Sequence, residues 1–233
     1  MRKLSRTRIQ NFLDCPKCFY LEENYKLKKP SMAPFLINSA VDHLLKKEFD
    51  YFREKKLPHP YISDAGLDAI PAQHEMLNQW INVFKGVQYI LEDKDYLIFG
   101  GIDDLWINSS GQYIVVDYKA TAKNDPPSLE GKWGKKYRNQ IEIYQWLLRK
   151  NGLNVSDSSF FVYCNGRKDV DVFDNKVEFN IHMIEHVGDD SWVEPTIYKA
   201  IELLEDSNLP ENAIDCEYCG YIKNRRNINN LKK

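Results

Sequence analysis

The chain has 233 residues and a formal net charge of −2, with 43% hydrophobic and 28% charged residues. That composition supports a packed core and excludes wholesale disorder, and the length suits one elaborated domain. No run of about 18 apolar residues occurs, which excludes a membrane-spanning helix, and the basic N-terminus lacks the apolar stretch of a secretory signal, so the chain reads as intracellular and cytoplasmic.

In chain order, Ser5 is placed as a helix N-cap ahead of Ile9, Phe12 and Leu13 at helical spacing. Pro16 interrupts, and a second short helix carries Phe19, Tyr20 and Leu21. After a turn at Lys28-Lys29-Pro30, a longer amphipathic helix follows, with Val41, Leu44, Leu45, Phe49 and Phe52 as its buried stripe. Residues 58–66 read as loop. A further helix is predicted from about Ala72 to Phe84, with Met76, Leu77, Trp80 and Phe84 turned inward.

The period then changes. Residues 87–91, 96–107 and 113–119 are rich in aromatic and β-branched side chains, and the polar turns between them imply an antiparallel meander of three strands. A loop with Pro126 and Pro127 leads to a helix from about Lys135 to Asn151, a natural crossover to a compact strand at 160–164. A weaker strand at about 177–181 and a last helix at about 193–206 complete the predicted elements. The whole is expected to be one domain: a helical part over 1–85, a catalytic sheet and helix over 86–182, and a C-terminal helix with a cysteine-containing tail over 190–233.

Charge is segregated. Arg2, Lys3, Arg6 and Arg8 form one acid-free cluster, Lys132, Lys135, Lys136 and Arg138 a second, and Lys223, Arg225 and Arg226 a third. Strips of this kind attract phosphate backbones even on a neutral protein, and Trp133 or Tyr137 offers a surface on which a base can stack. Cys15-x-x-Cys18 and Cys216-x-x-Cys219 have metal-ligand spacing, and four thiolates suit either a [4Fe–4S] cluster or structural Zn²⁺. Cys164 reads as a buried core thiol, and His59, His74, His182 and His186 as structural or surface residues.

The chemistry centres on Asp103 in one strand and Asp117-Tyr118-Lys119 in the next. Alternation sets Asp117 and Lys119 on one face, and pairing through the turn at 108–111 brings Asp103 near Asp117. Two carboxylates form a hard oxygen site for Mg²⁺ or Mn²⁺, beside a lysine able to hold a water. Gln140 and Tyr144, four apart, project from one helical face.

Asp103, Asp117-x-Lys119 and Gln140-x-x-x-Tyr144, in that order, resemble the PD-(D/E)XK nuclease superfamily, in particular its RecB-type branch, which includes CRISPR adaptation nucleases and recombination helicase–nuclease domains. The resemblance implies a restriction-endonuclease-like α/β core, with a central mixed sheet flanked by helices and the termini joined at the four cysteines. It implies that His43, Asp103, Asp117 and the backbone carbonyl of Tyr118 hold the ion, that Lys119 assists the water, and that Gln140 and Tyr144 position the substrate. The branch's iron–sulfur pattern has one N-terminal and three C-terminal cysteines, whereas this chain has two and two. The implied activity is metal-dependent hydrolysis of DNA, as an exonuclease on single-stranded or end-containing substrates, with a helicase or CRISPR adaptation protein as possible partner. The alternatives are a catalytically weak nucleic-acid-binding module and an RNA-directed nuclease of the same fold.

Overall fold

The structure, a computed structural model, describes residues 1–30 and 36–231. Strand β1 (Arg2–Ser5) runs directly into helix α1 (Arg6–Asp14), where the Ser5 hydroxyl accepts from the Arg8 amide at 3.3 Å as the N-cap. Pro16, whose missing N–H costs nothing in a first turn, opens α2 (Pro16–Tyr25). Then come α3 (Leu36–Lys55), α4 (Pro60–Asp64), β2 (Ile70–Pro71) and α5 (Leu77–Trp80). The central region holds β3 (Val87–Leu91), β4 (Tyr96–Gly100), β5 (Asp104–Ile107) and β6 (Tyr113–Thr121). Helix α6 (Gly131–Lys150) crosses over to β7 (Ser158–Gly166), followed by β8 (Phe179–Val187), α7 (Val193–Glu205) and α8 (Glu217–Leu231).

The fold is mixed α/β with two mixed sheets flanked by helices. One has the order β1-β4-β3 and the other β2-β5-β6-β7-β8. Strands β6 and β7 are parallel, as the intervening helix requires, and β5 pairs with β6 antiparallel through Asp104↔Val116. One core packs α1, α2, α6 and α7 with both sheets around Ile9, Phe19, Ile98, Val115, Leu147 and Ile197. The other lies under α3 and α4 on the opposite face, with Phe49, Ile62, Trp106, Val116 and Val162. Among the described residues no helix is long and apolar enough to cross a membrane.

Several expectations are corrected. Residues 96–107 are two strands in two sheets, so the three-strand meander is divided. The break falls at Gly100-Gly101, where a Cβ on Gly100 would meet Tyr144 at 2.8 Å and one on Gly101 would meet the Val83 backbone at 3.1 Å. The helix over 72–84 shrinks to α5, because the Asn82 side chain accepts from the amides of Phe84 (2.9 Å) and Lys85 (3.2 Å) and turns the chain outward. Phe84 is consequently exposed rather than inward. In α3, Leu45 and Phe49 are buried but Leu44 is exposed. Residues 58–66 contain a helical turn capped by His59, the weak strand lies at Phe179–Val187, and the tail after Asp206 forms α8.

Candidate active site

Strand β6 alternates: Ile114, Val116 and Tyr118 face the α3 side, while Val115 lies in the opposite core with Asp117 and Lys119 on its face. Asp117 is fully buried. Its Oδ2 pairs with Lys119 Nζ, and its Oδ1 accepts from Gln140 Nε2 at 2.9 Å. Gln140 also donates to the Tyr144 hydroxyl at 3.2 Å, so α6 clamps the carboxylate from above. One register step beyond Asp104↔Val116 sets Asp103 across from Asp117, and Asp103 Oδ2 accepts from the Tyr118 amide at 3.0 Å. Thus Asp103, Asp117, Lys119, Gln140 and Tyr144 are brought together.

His43 is not. It lies on the exposed side of α3, and the preceding residue, Asp42, points to the site instead. Lys46 Nζ bridges Asp42 at 2.9 Å and Asp103 at 3.6 Å. On α3 it is therefore Asp42, one turn before Lys46, that faces the centre. Two polar recesses flank the centre. One, of about 290 Å³, is lined by Lys46, Asn78, Ile81 and Asp103; the other, of about 120 Å³, by Asn38, Asp42, Lys119 and Tyr137.

The electrostatics follow from burial. Desolvation pushes the Asp117 carboxyl up to about 7, with Asp103 adding to the rise and Lys119 opposing it. For Lys119, burial favours the neutral amine, but Asp117 and Asp103 outweigh it and hold the ammonium above the ordinary lysine range. Lys46 is raised the same way, burial being overcome by Asp103 and Asp42. The Tyr137 ring lies 4.8 Å from Lys119 Nζ and completes the wall around it.

This donor set fits a divalent ion. Asp103, Asp117 and the adjoining Tyr118 carbonyl are hard oxygen donors, and each carboxylate already faces an ammonium cation, Lys46 at Asp103 and Lys119 at Asp117. Asp104, one residue after Asp103, is buried and held in a bonded network of its own. It accepts from Arg53 (2.5 Å), the Tyr118 hydroxyl (2.6 Å) and the Leu105 amide (2.7 Å). Neither Asp104 nor Asp42 stood out in the sequence; the available signal was that 42, 45, 49 and 52 share a helical face, which admits Asp42 and leaves out both His43 and Leu44.

The four cysteines also converge. Cys18 Sγ lies 3.6 Å from both Cys216 Sγ and Cys219 Sγ, and Cys15 Sγ lies 4.0 Å from Cys219 Sγ. All four sulfurs lie within 4.8 Å of one another, and among the described residues this is the one group of three or more metal-ligating side chains gathered so closely. Of the other singled-out residues, Cys164 is buried in the α3-side core, His59 is stacked on Phe49 at 4.0 Å, and His186 binds Glu142 at 2.7 Å. Trp133 is exposed beside Lys136, which itself pairs with Asp14.

Fold and site together describe a nuclease of the restriction-endonuclease kind, and the family match agrees. The sequence matches the family described as the PD-(D/E)XK nuclease superfamily over residues 3–223, and the chain belongs to that superfamily. No curated protein matches it. Among solved structures, one titled "Crystal structure of SSO0001" superposes with a TM-score of 0.42 at 16% identity, covering 94% of this chain and 82% of the other.

Proposed function

We propose that this protein is a Mg²⁺- or Mn²⁺-dependent deoxyribonuclease of the RecB type, acting as an exonuclease on single-stranded or end-containing DNA. Asp103, Asp117 and the Tyr118 carbonyl would hold the ion, with Asp42 replacing His43 as the ligand from α3. When bound, the ion supplies Lewis-acid activation of water and neutralisation of phosphate charge. The residues of the chain do the rest. Lys119 is kept protonated by its two acidic neighbours, so it contributes positive charge and hydrogen bonds toward water and phosphate oxygens rather than removing a proton. Gln140 fixes one Asp117 oxygen and leaves the other to Lys119. Tyr144, buried behind Gln140, locks that amide in place. The recesses on either side of Asp103 and Lys119 give a strand a path across the centre, and exposed Trp133 a base to stack on.

The observation that carries this reading is the connected chain Lys119–Asp117–Gln140–Tyr144 with Asp103 alongside. A retained fold that merely grips nucleic acid has no need to bury a carboxylate and a lysine together. The test uses 5′- and 3′-labelled single- and double-stranded DNA, with matched RNA, in Mg²⁺, Mn²⁺ or EDTA, beside Lys119→Ala. Cleavage that needs the ion and Lys119 supports the proposal, and the product ladder reports direction. Binding without cleavage by folded, metal-supplied protein would identify a binding module. Preferential RNA cleavage would move the substrate class. A helicase or CRISPR adaptation partner is proposed from the same resemblance and is tested by whether either stimulates cleavage.

A further inference from the structure

The iron–sulfur cluster implied by the RecB-type resemblance does not fit the sulfur geometry. In a [4Fe–4S] cubane each thiolate binds a different iron, which separates the cysteine sulfurs by roughly 6 Å. A [2Fe–2S] cluster likewise splits its four thiolates into two distant pairs. Around a single tetrahedral Zn²⁺ with Zn–S near 2.3 Å, the sulfurs lie roughly 3.8 Å apart. The observed separations are 3.6, 3.6 and 4.0 Å, and the whole set is within 4.8 Å, with Cys18 near both C-terminal cysteines. We infer that Cys15, Cys18, Cys216 and Cys219 bind one Zn²⁺ as a redox-inert clasp, and that no iron–sulfur cluster forms here.

The local chain is shaped for this. Cys15 closes α1 in extended conformation, its amide bonded to Asn11 at 3.0 Å, and Pro16 starts α2 so that Cys18 comes round one turn later. On the other side, the Cys216 amide bonds Ala213 at 3.1 Å, and Cys219 falls in the first turn of α8. Thiolate sites favour Zn²⁺ over Fe²⁺ in intrinsic affinity, which selects zinc among single ions.

A second observation explains why an ion is needed. Helix α8 contributes no buried residue among those described: Tyr218, Tyr221, Ile222 and Ile228 are all exposed. A helix of this length without a packed face is marginal in water. Its fastening comes from the two cysteines, with weak support from Lys29 over the Tyr218 ring and the Lys132–Asp215 pair at 3.6 Å. Residues beside both halves of the clasp reach α6, through Asp14–Lys136 and Asp215–Lys132. The clasp therefore steadies the start of the helix that carries Gln140 and Tyr144.

The test is made on the full chain purified without oxygen. Metal and acid-labile sulfide are quantified, and the metal is then replaced by Co²⁺. The expected result is colourless protein with about one zinc per chain and no sulfide. The Co²⁺ form should show tetrahedral thiolate absorption bands. Cys219→Ser should lose the zinc and expose α8 to protease, while Cys164→Ser should keep both intact. If Cys219→Ser fails to fold, chelator-driven release of zinc from the native chain, followed by proteolysis of residues 217–231, gives the same readout. Brown protein with iron and equivalent sulfide overturns the inference. So does iron without sulfide, or a chain isolated with four free thiols and ordered α8. None of these readouts depends on DNA cleavage.

Discussion

The two centres of this molecule are built on opposite principles. The carboxylate centre draws most of its groups from within the long central stretch 103–144 and is embedded in a sheet. Its buried charges are already matched by Lys46 and Lys119, so its shape is set by packing and hydrogen bonds. The thiolate centre joins residues about 200 positions apart, with Cys18 and Cys216 separated by 198 in sequence, at the edge of a helix that has no core of its own. On the readings proposed above, the first centre is preorganised before its ion arrives, and the second is an attachment whose ion would be part of the fold. A protein can thus carry two metal sites for which losing the ion means different things: loss of chemistry in one, loss of structure in the other.

The sharpest way to separate them is Lys119→Ala, expected to lower cleavage at least about a hundredfold while zinc content stays near wild type. Loss of zinc in that variant would break the distinction. Next is Arg53→Ala, which leaves Asp104 buried without its cation. Chemical denaturation should show a loss of about 3–5 kcal/mol, and Arg53→Met with Asp104→Asn should recover much of it. An unchanged midpoint would mean that Asp104 is not a structural charge.

A smaller effect concerns pH. The ion-free Asp117 carboxyl, raised to about 7 by burial, lies above the aspartate value of an unfolded chain. Its contribution to folding is therefore fully present below about pH 4 and is lost as pH rises through 7. Ion binding needs the ionised form, so Mg²⁺ affinity measured calorimetrically should fall about tenfold per unit below pH 7, with a proton released on binding. Zinc retention at the cysteines should not follow that curve. Smallest is the comparison on α3: Asp42→Asn should weaken Mn²⁺-supported cleavage by about tenfold, the scale for loss of a metal-site residue, and His43→Ala should leave it unchanged. The reverse result would restore His43 as the ligand.

Much of this was legible because the signals are local. Ser5 and Pro16 punctuate the first two helices, the turn at 108–111 fixes which residues face each other, and four-residue spacing sets Gln140 above Tyr144. What stayed hidden depends on tertiary approach. The strand over 96–107 looks continuous because Gly100-Gly101 breaks no periodicity; only the closeness of Tyr144 and the Val83 backbone requires two residues without side chains there. His43 was named through the family resemblance, whereas the burial of Leu45 and Phe49 turns Asp42 toward the inward face. Helix α8 left no hydrophobic stripe to read because none of its described residues is buried.

The proposed clasp also has a consequence in time. During synthesis the N-terminal Cys15 and Cys18 emerge first and wait, unable to complete their site until residue 219 has cleared the ribosome. On that reading, a chain terminated before Cys216 would carry the entire carboxylate centre and still lack its seal.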